Sequence, residues 1–349
     1  MHGNIGIVGL GRVGRSILRS NFLQQKQGRF CIKALCDVMP ISQVAYLLAH
    51  DSSYGSPHYT IDINDDHLII DGHPIRYIQV DRRQTHKAEE YLSTLKSLSL
   101  DLLINATGTA VVEDLRHLIT LDICKKVLCS WNIKGGDASL VYGVNHQHYD
   151  PDKHHIISAS TCTGNAFTPV AMILQRHIGI DFARIVTIHP ALSDQHILDG
   201  YHKHPHLGRT TAASVIPTAT NVANSTALVL PELEGKLDSF SYRVPTEIVS
   251  LMDITITLSQ DSDLEQIQQL FLHYAEKELN GILHCDNGCW GHQRVSIDFI
   301  GTPYSSIIMM EHLRLTDKRH LGICLMHDNE HGYCCRALDI IETVLQTMH

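Results

Sequence analysis

The sequence predicts an α/β chain in which a doubly wound, parallel-sheet domain is followed by an α+β domain with a mixed or antiparallel sheet. Three observations carry this. Short apolar runs alternate with helical periodicity through the first half. A glycine-rich turn follows the first of those runs. After about Gly179 the rhythm changes to long β-rich runs.

In order, IGIVGL reads as the first strand and is followed by a basic helix. FCIKALCD is the next strand, then comes a helix from about Ile41, and DLLINATG, KVLCS and HHIISAS complete the βα rhythm. The second half carries ARIVTIHPAL, YRVPTEIVSLMDITITLS, RVSIDFIG, SSIIMMEH and HLGICLMHD as β-rich runs, with helices near 218–229 and 263–279. Ala337, Ile340, Ile341, Val344 and Leu345 recur at helical spacing, so residues 329–349 are expected to form a closing helix that packs back on the first domain. The expected domains are therefore 1–160 and 161–328. Residues 199–211 are polar and without regular pattern, and read as a long loop.

Composition narrows the function. The 349 residues, 44% of them hydrophobic, suffice for two full cores and exclude a disordered chain. A formal charge of −9 lacks the basic surplus that phosphate backbones require, so no nucleic-acid partner is expected. No run approaches the roughly 20 apolar residues that span a bilayer, and the N-terminus leads into a strand rather than a signal peptide, so a cytoplasmic chain without membrane contact is expected. The ten cysteines lack the spacing of a secreted disulfide framework and read as reduced thiols.

Gly9-Leu-Gly11-Arg12-Val13-Gly14 lies between a strand and a helix, with Asp37 ending the next strand. In that context Gly9 permits a tight turn and Gly11 lets the backbone approach a pyrophosphate. Gly14 allows close helix packing, and the free N–H groups at the helix start bind the anion. Asp37 suits an adenosine ribose and repels a 2′-phosphate, so the first domain reads as Rossmann-type and NAD is preferred to NADP. Thr107 and Gly108, in the turn Asn105-Ala-Thr-Gly, would sit at the same carboxyl edge and are read on the cofactor side, with a plain strand-to-helix turn as the other reading; Ser130 is placed with the cofactor-side residues.

Thr161-Cys162-Thr163 opens a helical pattern directly after HHIIS. A thiol at a helix N-terminus has its thiolate favoured by the helix dipole. His189 ends the strand RIVTIH, so a helix and a returning strand can bring an imidazole beside the sulfur as general base; a buried, inert thiol is the other reading of these residues.

At these residues the chain resembles the glyceraldehyde-3-phosphate dehydrogenase family, which includes the erythrose-4-phosphate dehydrogenases. The similar stretches are GIVGLGRVGR, YLLAHDSSYG, YGVN, ASTCTGNAFTP, TIHPALSDQHILD, VIPTATNVANSTALVLPELEGKL, YRVPTEIVSLMD and HDNEHGYCCRALD. The resemblance implies NAD-dependent oxidation of a phosphorylated aldehyde, glyceraldehyde 3-phosphate or erythrose 4-phosphate. Cys162 would form a thiohemiacetal and then a thioester, His189 would take the hydroxyl proton, and Asn329 would orient the nicotinamide. Thr161, Thr163, Asp194, Thr220 and Arg243 would hold phosphate, Arg243 with its planar charged fork. A homotetramer is also implied.

Departures from the family pattern accompany the likeness. The place of the arginine for the attacking phosphate falls on Leu207 or Gly208, with Arg209 adjacent. Asn221 replaces a glycine and Leu192 a threonine, both leaning toward the erythrose-phosphate group; Thr161 replaces a serine, and Val8 and His331 are further changes. The alternative reading is a catalytically weak NAD-binding interaction protein. His284, Cys285, Cys289 and His292 are four possible zinc ligands, but their spacing reads as a surface turn and no metal is expected. His202, His204 and His206 read as part of a solvated loop, and Cys334-Cys335 as helix packing.

Overall fold

Asn4–Val8 (β1) is buried along its interior residues, as a strand covered on both faces must be. In the computed structural model, which describes residues 3–23, 28–80, 86–193 and 195–348, the chain divides into two units: 1–160 with 334–349, and 161–333.

In the first unit, β1 is joined by β2 (Cys31–Asp37), β3 (Ile61–Asn64), β4 (His67–Ile70), β5 (His73–Gln79), β6 (Leu100–Asn105), β7 (Cys124–Cys129), β8 (Ala138–Ser139) and β9 (Ile156–Ser158). Among the described residues these form one sheet in the order β3-β4-β5-β2-β1-β6-β7-β9-β8. Pairing is parallel except within β3-β4-β5, a meander at one edge. Helices α1 (Arg12–Phe22), α2 (Ile41–Ala49), α3 (His86–Ser97) and α4 (Val112–Thr120) provide connections. The chain leaves β1 toward β2 and returns to its other side as β6, so strand order reverses at β1. That switch point is where such sheets open a crevice for ligands.

The second unit contains β10 (Ile180–Pro190), β11 (Ile216–Thr218), β12 (Leu237–Val244), β13 (Ser250–Leu258), β14 (Leu283–Asp286), β15 (Ser306–Met309), β16 (Arg314–Thr316) and β17 (His320–His327). Their order is β11-β12-β10-β13-β17-β15-β14, with β16 on β17, and the sheet is mixed. Ala183, Ile185, Thr187 and His189 on β10 are buried, as are Ser250, Met252, Ile254 and Ile256 on β13 and Leu321, Ile323, Leu325 and His327 on β17. Arg184, Asp253 and Thr255 between them are exposed. This period of two defines one inner face. Its helices are α5 (Cys162–His177), α6 (Val222–Ala227) and α7 (Leu264–Glu276), of which α5 and α7 carry the fully buried Phe167 and Phe271.

Several expectations change. The run RVSIDFIG is not a strand: Ser296–Phe299 is a single helical turn, because Asp298 accepts from the N–H of Val295 and Phe299 turns into the core. The helix expected near 218–229 is confined to Val222–Ala227, since Ile216–Thr218 pairs with β12. The closing helix α8 (His331–Gln346) starts after Asn329, because Asp328 Oδ1 accepts from the N–H groups of Glu330 and His331 at 3.0 and 2.8 Å. Asn329 therefore belongs to the second unit, and the unit boundary falls inside α8.

Candidate active site

In the first unit the carboxyl edge is stitched by the backbone. The N–H of Gly9 donates to Cys36 O, that of Ala106 to Val8 O and that of Ser130 to Asn105 O. These bonds line up the three turns that carry Gly9, Thr107 and Ser130. Gly9 has φ +91°, and a Cβ on Gly14 would lie 1.9 Å from Gly9 O, so both positions exclude a side chain. At Gly11 a Cβ would meet nothing within 4 Å, which is the open approach a bound pyrophosphate needs. No side chain caps α1 at Gly11 and no acidic residue lies in its first turn, so Arg12, Val13 and Gly14 begin a helix suited to an anion.

Asp37 accepts from the N–H of Leu10 and, at 2.9 Å, from that of Met39, which anchors the glycine turn to β2. Each carboxylate oxygen accepts one of these bonds and has a second lone pair for a ribose hydroxyl. Buried Asn105 accepts at Oδ1 from Thr107 Oγ1 at 2.7 Å, and Gly108 continues the turn with φ +68°. Beside these residues lies a cavity of about 640 Å³, lined by Gly11, Asp37, Val38, Val80, Thr107 and Leu118 among others. Its size and its mostly apolar wall with a few polar groups fit an adenosine moiety.

In the second unit, Thr161 caps α5: its Oγ1 accepts from Gly164 N–H at 3.0 Å. Asn165 Nδ2 donates to Thr161 O at 2.9 Å, and buried Thr163 lies 3.3 Å from Thr161 between hydroxyl oxygens. Together these bonds hold Cys162 as the first residue of the helix. Its Sγ lies 3.9 Å from Nε2 of His189, a long contact of the kind that tightens when a ligand binds. His189 Nδ1 lies 2.9 Å from Pro190 O. A carbonyl only accepts, so Nδ1 carries the proton and Nε2 presents its lone pair to the thiol.

Arg243 pairs with His189 across β10 and β12. Burial, then the Arg243 charge, lowers the His189 pKa to about 4 against the opposing effect of the Pro190 carbonyl. Burial raises the Cys162 thiol above its ordinary value, partly offset by the Thr163 N–H and by Arg243. The resting pair is thus a thiol facing a neutral imidazole. Two residues hold positive φ nearby in sequence, Ser160 at +54° just before the capped helix and Val249 at +72° just before β13. A β-branched residue in that region is strained, and Val249 is held there by donating its N–H to Asn329 Oδ1 at 3.1 Å. That bond directs the Asn329 amide nitrogen away from Val249.

The remaining expected residues fall as follows. Thr220 lies just ahead of Asn221 and α6, and its carbonyl accepts from Ser239 Oγ at 3.4 Å. Asp194 lies outside the described residues. Leu207 and Gly208 end a short turn, and a Cβ on Gly208 would lie 2.3 Å from Gly200 O, so no longer side chain fits at that position. Arg209 Nε is paired with Asp199 at 3.0 Å on the surface. Leu192 is 40% exposed. His284 stacks on Tyr304 at 4.8 Å, while Cys289 and His292 pair through their backbones in a turn. Among the described residues no three His, Cys, Asp or Glu side chains are gathered to hold a metal. The rings of His202, His204 and His206 follow one another at 5.8 and 6.3 Å in an exposed loop. Cys334 is buried in α8 and its thiol faces Val13 O at 3.8 Å.

Residues 3–113 match the glyceraldehyde 3-phosphate dehydrogenase NAD binding domain, and residues 161–329 match the C-terminal domain of the same family. The chain belongs to the glyceraldehyde-3-phosphate dehydrogenase family. It is 33% identical over 338 residues to the glyceraldehyde-3-phosphate dehydrogenase of Geobacillus stearothermophilus, covering 96% of each chain. Identity is also 33% over 342 residues to the Kitasatospora aureofaciens protein of that name, covering 97% of this chain and 98% of the relative. By family the chain is an NAD-dependent oxidoreductase, and the open approach at Gly11, the Asp37 carboxylate and the adjoining cavity fit that cofactor. Among the described residues no helix is long and apolar enough to cross a membrane.

Ser250 and His327, both buried on the inner face next to His189 in the strand register, are not singled out by the sequence pattern. The signal for His327 was its place ahead of Asp328-Asn329 at the end of an alternating strand, which puts it on the same face as Leu321, Ile323 and Leu325.

Two outcomes follow. Gly14→Ala forces the α1 turn away from Gly9 and is expected to weaken NAD binding more than about tenfold, measured by fluorescence titration. Burial, and for His327 also the neighbouring His189, hold these imidazole pKa values at about 4 and about 3. The unfolded chain therefore binds more protons below about pH 6.5, and stability falls as pH drops. Each imidazole contributes about 2 kcal/mol to that loss by about pH 5, read as a falling denaturant midpoint, and His189→Gln removes its share.

Proposed function

We propose that this protein oxidises a phosphorylated short-chain aldehyde with NAD through a covalent intermediate on Cys162. The observation that carries the reading is the Sγ to Nε2 contact of 3.9 Å, with the imidazole tautomer set by Pro190 O. Nε2 of His189 takes the thiol proton as sulfur attacks the carbonyl carbon, and returns it to the resulting alkoxide to give a thiohemiacetal. The same nitrogen then removes the hydroxyl proton as the thiohemiacetal collapses to a thioester. Bound NAD supplies the acceptor for the hydride lost in that collapse. Gly11, Arg12, Val13 and Gly14 would hold its pyrophosphate, Asp37 its adenosine ribose, Thr107, Gly108 and Ser130 the carboxyl edge beside it, and Asn329 its carboxamide.

Arg243, one strand from His189, is assigned to the substrate phosphate, with Thr161, Thr163, Thr220 and Asp194 as its family partners. The names of the relatives favour glyceraldehyde 3-phosphate as substrate, and the family resemblance implies phosphate as the thioester acceptor. A second reading, erythrose 4-phosphate as substrate or water as acceptor, is favoured by the crowding at Gly208, where no arginine fits, and by the pairing of the adjacent Arg209 with Asp199. A cytoplasmic homotetramer is part of the proposal and rests on the family. Half-buried Val186, Ile188, Phe240 and Leu251, on the face of the second sheet opposite His189, are chemically suited to contact between copies.

The test is NADH formation with each aldehyde, with and without inorganic phosphate. Phosphate-dependent oxidation of the three-carbon substrate supports the first reading, and phosphate-independent oxidation of the four-carbon substrate the second. Cys162→Ala is expected to lower turnover more than about 10³-fold with NAD affinity changed less than about twofold. Unchanged turnover in that variant overturns the covalent mechanism, and no turnover in the wild type with either aldehyde overturns the proposal and favours the interaction-protein alternative.

A further inference from the structure

The catalytic pair is part of a longer row. On β10 and β13, Thr187 faces Met252 and Ile188 faces Leu251, so the next step brings His189 level with Ser250. Ser250 in turn faces His327 on β17, and Arg243 faces His189 from β12. Residues directly opposed on neighbouring strands point to the same face. Arg243, His189, Ser250 and His327 therefore stand side by side on the inner face, across four strands spaced about 4.8 Å apart. Ser250 is small, fully buried, and donates through Oγ to Ile188 O at 3.3 Å, so little bulk separates the two imidazoles.

His327 is 2% exposed, and its Nε2 has no hydrogen-bond partner among the described residues. Buried polar atoms in native proteins find partners, and an orphan beside a catalytic pair is a place for a ligand atom. Burial and the neighbouring His189 keep this imidazole uncharged, with a pKa of about 3. It is therefore suited to a neutral hydroxyl and poorly suited to a phosphate. The phosphate has its cation on the other side of His189, at Arg243.

We infer that His327 is a specificity residue whose Nε2 hydrogen-bonds the hydroxyl on the carbon next to the substrate's carbonyl. This rests on the proposed aldehyde oxidation, and both candidate aldehydes carry that hydroxyl. With the carbonyl carbon held at Cys162 Sγ and the phosphate toward Arg243, the hydroxyl turns to the opposite end of the row.

The test compares glyceraldehyde 3-phosphate with 3-oxopropyl phosphate, which lacks only the hydroxyl, in the wild type, His327→Phe and His327→Gln. Wild-type kcat/KM is expected to favour the hydroxylated aldehyde by about tenfold to a hundredfold. In His327→Phe that preference falls below about threefold, mainly through loss on the hydroxylated substrate, and His327→Gln restores part of it. NAD affinity within about twofold of wild type shows that each variant is folded, and if the Phe variant is not, a severalfold loss of preference in His327→Gln carries the test. A preference equal in wild type and variants, with both substrates slowed alike, means a packing role only and overturns the inference while the aldehyde oxidation stands. A wild type that oxidises neither compound overturns both.

Discussion

The hydrogen bond from His189 Nδ1 to Pro190 O is the constraint on which the chemistry proposed for the second unit depends. It assigns the tautomer, and with it the direction in which the lone pair of Nε2 points. Without that bond the same ring at the same distance from Cys162 would be free to present an N–H to the thiol, and no proton could move from sulfur to nitrogen. The bond is local, between neighbours in sequence, yet its use depends on long-range register. β10 must deliver His189 to the inner face at the level where α5 begins, and β12 must deliver Arg243 beside it.

Burial and charge act together on that arrangement. Desolvation disfavours both the thiolate and the imidazolium, and the Arg243 cation opposes it at the sulfur while reinforcing it at the imidazole. The outcome is a neutral pair at rest, the form from which the proposed proton transfer starts. The cost appears elsewhere, as buried imidazoles that must not be protonated and as backbone held at positive φ at Ser160 and Val249. The first unit uses a different economy of form: three turns at the carboxyl edge are tied strand to strand, and the missing side chain at Gly11 leaves the approach open.

Much of this was legible in the sequence, and for identifiable reasons. The Gly9-Gly11-Gly14 turn with Asp37 is a local pattern whose physical demands fall on neighbouring residues, so spacing alone exposes it. Cys162 with its Thr161 cap is equally local. The row Arg243–His189–Ser250–His327 is not, because it is assembled by pairing between strands far apart in the chain, and alternation tells the face but not the level. RVSIDFIG misled because its apolar alternation suits a strand, whereas a single carboxylate, Asp298, wins the backbone N–H of Val295 and turns the chain. The crowding at Gly208 and the pairing of Arg209 with Asp199 likewise depend on how one loop folds on itself, which residue types do not disclose.

In the proposed mechanism Cys162, alone among ten cysteines, carries the substrate's acyl group. Rapid acid quenching of the protein mixed with aldehyde and NAD in the absence of phosphate, followed by peptide mass spectrometry, tests it directly. One acyl group per chain is expected, on the peptide containing Cys162, appearing together with the first equivalent of NADH. An acyl group on a different cysteine would contradict it.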